Sequence, residues 1–192
     1  FETETSIKDK ENTKTIENFD IEFKNVSFKY PDAKEYMLHN ISFKANHGDT
    51  VAFIGSTGSG KSTLINLIPR FYDVTKGEVL VDGVNVKEYK QEALYNKLGY
   101  IPQKPVMFSG TVNENISYGS NGKTKPNQSK IKEAISVAQG TEFVEKMPDK
   151  YESHIAQGGT NISGGQKQRL SIARAIVRNP EIYIYLTIVF RH

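Results

Sequence analysis

Cysteine is missing from the 192-residue chain. That absence excludes disulfides and thiolate metal sites and fits a reducing compartment. Missing too is any apolar run near the ~18–20 residues of a membrane span; the longest, Ile182 to Phe190, is far too short. No charged-then-apolar signal peptide follows Phe1, and without an initiator methionine the chain is expected to be a piece of something longer. There is little charge of one sign. Lys and Arg number 25 against 22 Asp and Glu, a net charge of +3, and the basic residues are scattered among acids. This reads as a solvated surface rather than a nucleic-acid footprint, so no nucleic acid is expected as a partner. Any link to a membrane has to run through a partner or another part of the chain.

What is there is patterned. Residues 1–18 are polar, charged and aperiodic, and read as a linker or tail. From Phe19 onward "FDIEFKNVSFKY" and "MLHNISFKA" alternate apolar and polar residues, as half-buried strands do. "DTVAFIG" reads as a buried strand entering a turn, and Lys61 to Phe71 carries a helical stripe limited by Pro69. Asp82-Gly83 in "GEVLVDGVNV" signals a hairpin, and "LGYIPQ" another strand. Beyond Thr111 the β-rich character fades. "SKIKEAISVAQ" is amphipathic, with Ser129 placed to cap it, and "TEFVEKM" reads as a short helix. Gly164 to Arg178 is helical, Asn179-Pro180 ends it, and "EIYIYL" begins a strand. Strands alternating with helices predict an α/β fold with a mainly parallel sheet.

Gly55-Ser56-Thr57-Gly58-Ser59-Gly60-Lys61-Ser62 satisfies the G-x-x-x-x-G-K-[ST] pattern, after a predicted strand and before a predicted helix, with Thr63 following. The chemistry explains the composition. A triphosphate is gripped by converging main-chain N–H groups that side chains would obstruct, and glycine permits both close approach and unusual dihedrals. The helix N-terminus adds donors and partial positive charge. Lys61 is placed for the β- and γ-phosphates and the Ser62 hydroxyl for Mg²⁺. This loop alone suits GTPases, kinases and motors.

A second segment narrows the choice. "NISGGQKQRLSIARAIVRNPEIYI", Asn161 to Ile184, places Ser163, Gly164, Gly165 and Gln166 at a helix N-terminus, another anion-seeking end. The segment strongly resembles the signature of ATP-binding cassette (ABC) proteins, and the resemblance runs from about Phe19 to Ile184. It implies ATP and Mg²⁺ as cofactors. It also implies a head-to-tail pair of domains, each burying ATP between one partner's cradle and the other's signature. Tyr30 matches the aromatic on which adenine stacks; a strand-end tyrosine before proline is otherwise ordinary packing. Gln103, in "LGYIPQKPVMFSGTVNENI", matches the catalytic glutamine that approaches Mg²⁺ and the attacking water; by itself it is a polar loop residue. "PVMFSGTVNENISYG" and "AQGGTNISGGQ" resemble the exporter branch, so a transmembrane domain is expected covalently upstream, at the cytoplasmic face of the plasma membrane in the parent. The implied architecture is a P-loop NTPase core, an N-terminal antiparallel β lobe and an inserted helical lobe at about 109–165, together filling 19–192.

The chain departs from the family after "EIYIY". An aspartate orienting Mg²⁺ and a glutamate polarising water are replaced by Leu186 and Thr187, and "LTIVFRH" resembles neither the following loop nor the switch histidine. A truncation or shifted reading frame is expected. Leucine accepts no hydrogen bond and threonine is no base at neutral pH, and a positioned base contributes roughly 10²–10⁴-fold. Binding of Mg-ATP with negligible hydrolysis follows as an expectation. "IYIYLTIVF" is β-prone and uncharged, which predicts a poorly soluble or partly unfolded product. Two other readings stay open: a nucleotide-binding module without turnover, and a soluble cassette ATPase acting on nucleic acid or ribosomes.

Overall fold

The alternation from Phe19 onward produces a sheet, but not with uniform period two. In the computed structural model, which describes residues 19–119 and 125–186, β1 (Ile21–Phe28) pairs antiparallel with both β2 (Leu38–Ala45) and β3 (Lys76–Val81). Phe23, Val26 and Phe28 are the buried residues of β1. Their spacing of three and then two is reconciled by a register shift at Asn25, whose φ is 49°. Asparagine tolerates that left-handed conformation because its short polar side chain bonds locally. Here the Ser42 hydroxyl accepts from the Asn25 N–H at 2.9 Å. Phe23 faces Phe43 across the pair, the rings stacked at 4.6 Å.

The sheet continues through the expected hairpin. β4 (Val84–Asn85) returns along β3 after Asp82 and Gly83, whose φ values of 53° and 70° suit a tight turn that follows the sheet's twist. The strand order is β2-β1-β3-β4. Tyr89 lies fully buried nearby and donates its hydroxyl to the Val81 carbonyl at 2.9 Å. Burial, and then the Asp82 charge, push that phenol up to about 12. Two short helices complete this first compact unit, residues 1–96: α1 (Lys61–Asn66) and α2 (Gln91–Tyr95).

One expectation fails here. The run "DTVAFIG" forms no strand: residues 50–56 carry none, and Val51 and Ile54 are 46% and 90% exposed. A run apolar on both faces makes a strand only with a paired neighbour on each side, and no described strand pairs with these residues. The helix after it is also shorter than its apolar stripe. Beyond Asn66 the chain tightens into i→i+3 bonds, Leu67 N–H to Leu64 and Arg70 N–H to Leu67, before Pro69 and Arg70 close it off.

The second unit, residues 97–192, holds a parallel pair and a group of helices. β5 (Leu98–Ile101) runs alongside β8 (Ile182–Tyr185) in the register Leu98 to Ile182. Ile182 and Ile184 point inward and Tyr183 and Tyr185 outward. Gly99 is required: a Cβ there would lie 2.6 Å from Pro180. Between the strands come β6 (Gly110–Thr111), α3 (Val112–Ser117), α4 (Gln128–Val137), α5 (Thr141–Glu145), β7 (His154–Ile155) and α6 (Gly164–Ile176). Met107, Val112, Ile116, Ile135, Ile155 and Leu170 centre their shared core.

The cap of α4 is Asn127 rather than Ser129, its side chain accepting from the Lys130 N–H at 3.0 Å. The helix simply starts two residues earlier, and asparagine caps as well as serine. No helix among the described residues is long and apolar enough to cross a membrane. Residues 1–18, read as a linker, and Thr187 lie outside the described residues.

Candidate functional site

The glycine-rich loop folds around its own lysine. Lys61 opens α1 and its Nζ donates to the carbonyls of Gly55 at 2.8 Å and Ser56 at 2.6 Å, and to the Ser59 hydroxyl at 3.1 Å. The ammonium is thereby held at the centre of the loop that precedes it. Glycine is favoured at two positions. Gly60 caps α1 at φ 85°, and a Cβ on it would lie 2.8 Å from the Leu38 side chain and 3.2 Å from the Met37 carbonyl. Gly58 sits at φ 83° with nothing within 4 Å of where a Cβ would stand. The loop from Gly55 to Ser59 and the Ser62 side chain face solvent, whereas Thr63 is 6% exposed.

These features fit a polyphosphate. The first-turn N–H groups of a helix lack intrahelical acceptors, a side-chain-free surface lies at Gly58, and one cation stands among them. Among the described residues no three His, Asp or Glu side chains gather to hold a metal ion, so a divalent cation here would share its ligands with phosphate oxygens and water.

Tyr30 is joined to this loop from a distant part of the sequence. Its hydroxyl lies 2.9 Å from Thr63 Oγ1, and its ring meets Phe28 and Tyr72 edge-on at 4.9 and 5.3 Å. Neither Phe28 nor Tyr72 was expected at the site from the sequence. Tyr72 follows the "IPRF" turn and carries no local motif, so only its proximity in space reveals it.

The second glycine-rich end lies in the other unit. Ser163 caps α6 in a reciprocal capping box: its hydroxyl accepts from the Gln166 N–H at 3.2 Å, and the Gln166 side chain accepts from the Ser163 N–H at 2.9 Å. Gly164 and Gly165 are exposed, with nothing within 4 Å of either missing Cβ. They leave bare backbone open to a large ligand.

Comparison with known proteins decides the family. Residues 38–185 match the family model described as ABC transporter. The chain belongs to the ABC transporter family. Over 164 residues, 85% of this chain, it is 46% identical to a putative multidrug export ATP-binding/permease protein, YgaD, of Bacillus subtilis (strain 168). It is 44% identical over 165 residues, 86% of its length, to an ATP-dependent lipid A-core flippase of Haemophilus influenzae. In each case the chain spans 28% of the relative's length. Among solved structures, a bacterial Atm1-family ABC exporter with ATP bound matches with a TM-score of 0.88 and 35% identity, over 94% of this chain and 32% of that one. The fold is that of an ABC exporter's nucleotide-binding domain.

Within this cassette Gln103 is exposed, two residues past the end of β5. Downstream of it lies a cluster that the sequence did not disclose. Arg174, in the last turns of α6, donates to the Asn115 carbonyl at 2.7 Å, the Val106 carbonyl at 2.8 Å and Asn115 Oδ1 at 3.1 Å. Its guanidinium lies 5.4 Å from the Phe108 ring centre and 6.0 Å from that of Tyr118. Desolvation holds its pKa below the usual arginine value. Asn115 is 1% exposed and bonds the Phe108 N–H and carbonyl, both at 2.9 Å. The helix that begins at the signature is thus anchored to the segment running from Val106 to Tyr118. A sequence signal for part of it was present: Thr111-x-x-Glu114 is a capping box, which opens α3.

Leu186 continues from β8, its N–H donating to the Ile101 carbonyl at 3.0 Å. Its side chain offers no acceptor to a metal or water.

Proposed function

We propose that this chain is the nucleotide-binding domain of an exporter, binding Mg-ATP through the loop from Gly55 to Thr63. The observation that carries the reading is Lys61, centred in a glycine loop whose backbone conformations only glycine adopts readily. Its position suits an ammonium that exchanges carbonyl oxygens for the β- and γ-phosphate oxygens. Main-chain N–H groups from Ser56 to Thr63 bind the rest of the phosphate tail. Ser62 offers its hydroxyl to Mg²⁺, which in this class of site neutralises charge on the phosphates. Tyr30 supplies a ring for the base, and Gln103 is the residue to which the family resemblance gives a role beside the metal and the attacking water.

Ser163, Gly164, Gly165 and Gln166 serve a nucleotide presented by a second such domain, in a head-to-tail pair. The relatives' names, multidrug export and lipid A-core flippase, support a membrane-spanning partner domain and a place at the cytoplasmic face of the parent's membrane. The substrate of that transport is set by the partner domain.

Turnover by this chain is expected to be very slow. Leu186 and Thr187 occupy the places where the family resemblance calls for an aspartate and a glutamate; leucine offers the metal's water shell no acceptor, and threonine is no base at neutral pH. Calorimetric titration with Mg-ATP, followed by steady-state phosphate release, tests both parts. Binding with phosphate release about 10²–10⁴-fold below that of an intact cassette is the expected result. Absence of binding overturns the assignment, and release at the intact rate overturns the deficiency alone. A nucleotide-binding module without turnover shares every binding step and differs only in whether the parent hydrolyses ATP.

A further inference from the structure

We infer that the Tyr30 hydroxyl is a positioning group that ties the aromatic platform to the phosphate loop's helix through Thr63, and so sets how strongly the chain prefers a nucleoside triphosphate to a bare polyphosphate. The inference rests on the proposed nucleotide site and concerns how its two halves communicate.

Three observations carry it. The phenol oxygen and Thr63 Oγ1 are 2.9 Å apart, a good distance for a hydroxyl pair. Thr63 is 6% exposed and sits one residue past Ser62 and two past Lys61, in the first turn of α1, so its hydroxyl has little access to water. Tyr30 and Thr63 are 33 residues apart in sequence, so the bond joins the end of β1 to the helix opened by the loop. The neighbours of Tyr30 fix the ring without replacing this bond: Phe28 and Tyr72 meet it at 82° and 87°, through apolar contact alone. Phe28 is 2% exposed and gives the ring a rigid backing. Rotation of the ring about its own bonds is therefore limited by packing, and one hydrogen bond links it to α1.

Removing that bond while keeping the ring should cost base recognition and spare phosphate recognition. Tyr30→Phe does this almost isosterically. Affinities for Mg-ATP and for Mg-tripolyphosphate are measured by calorimetry on the full chain and on Tyr30→Phe, Thr63→Val and Thr63→Ser, each first checked for an unchanged melting transition. Tyr30→Phe is expected to weaken ATP binding about 3- to 10-fold, the effect of one net hydrogen bond, and to leave tripolyphosphate affinity unchanged. Thr63→Ser keeps the hydroxyl and should keep the wild-type ratio of the two affinities. Combining Tyr30→Phe with Thr63→Val should lower that ratio no further than Tyr30→Phe does. An unchanged ratio in Tyr30→Phe overturns the inference, as does equal weakening of both ligands, which is what loosened packing would give. Failure of the wild-type chain to bind either ligand overturns the nucleotide site and the inference together.

Discussion

Two helices in this molecule start from serine and glycine, and they start differently. At α6 the N-cap is Ser163, in extended conformation, with its side chain and that of Gln166 closing a reciprocal box. At α1 the N-cap is Gly60, left-handed at φ 85°, with no side-chain cap. The first end satisfies two of its own donors and keeps two bare glycines in the open. The second leaves its donors to whatever enters the loop and adds a lysine that reaches back across it. A self-capped end is stable by itself and suits a ligand brought by another molecule. An uncapped end with a cation suits a ligand held by the chain alone.

Lysine substitutions break this comparison most sharply. Lys61→Ala is expected to weaken Mg-ATP binding about 100-fold by removing charge-assisted bonds to phosphate. Lys167→Ala, in the first turns of α6, should leave it unchanged, and a calorimetric titration of both variants checks the pair. Glycine substitutions come next. Gly60→Ala should destabilise the chain by about 2 kcal/mol, since a left-handed φ and a 2.8 Å contact with Leu38 both oppose a methyl group. Gly164→Ala has open space around it and should stabilise α6 by about 0.5 kcal/mol. Opposite shifts in denaturant midpoint are the readout.

An effect between those two is expected from Ser163→Ala. Loss of the cap should cost about 1 kcal/mol without changing ATP affinity in the dilute, unpaired chain; urea unfolding and titration measure the two separately.

Much of the α6 end was legible in the sequence because its determinants are local. Ser163 and Gln166 stand three apart, and Asn179-Pro180 marks the stop, where Asn179 takes a φ of 46°. Thr111 and Glu114 carried the same signal for α3, hidden by the brevity of that helix. Residues 49–55 depart from the expected strand for the opposite reason: strand formation there depends on pairing partners, which local pattern does not supply. The bonds that matter most around the site are long-range ones. Tyr30 with Thr63, Arg174 with Val106 and Arg174 with Asn115 span 33, 68 and 59 residues, and no short motif encodes them. Asn127 displaced Ser129 because both can cap, and only the helix's true start separates them.

The last prediction lies away from both helix ends and serves as a control for the first unit. Tyr89 has a folded-state value of about 12 against about 10 unfolded. Folding therefore favours the protonated phenol. Its contribution is complete below pH 10 and fades as pH rises from about 10 to about 12. Tyr89→Phe should flatten that part of the stability profile, measured by urea midpoints across alkaline pH, while lowering stability below about pH 10 through loss of the bond to Val81.

Amide hydrogen exchange with and without Mg-ATP tests the central claim most directly, because it reads the main-chain donors themselves. In the dilute chain, nucleotide is predicted to slow exchange across residues 56–63 and to leave residues 163–168 as they were. Unchanged exchange at 56–63 under saturating nucleotide would contradict the account, whatever the rest of the chain did.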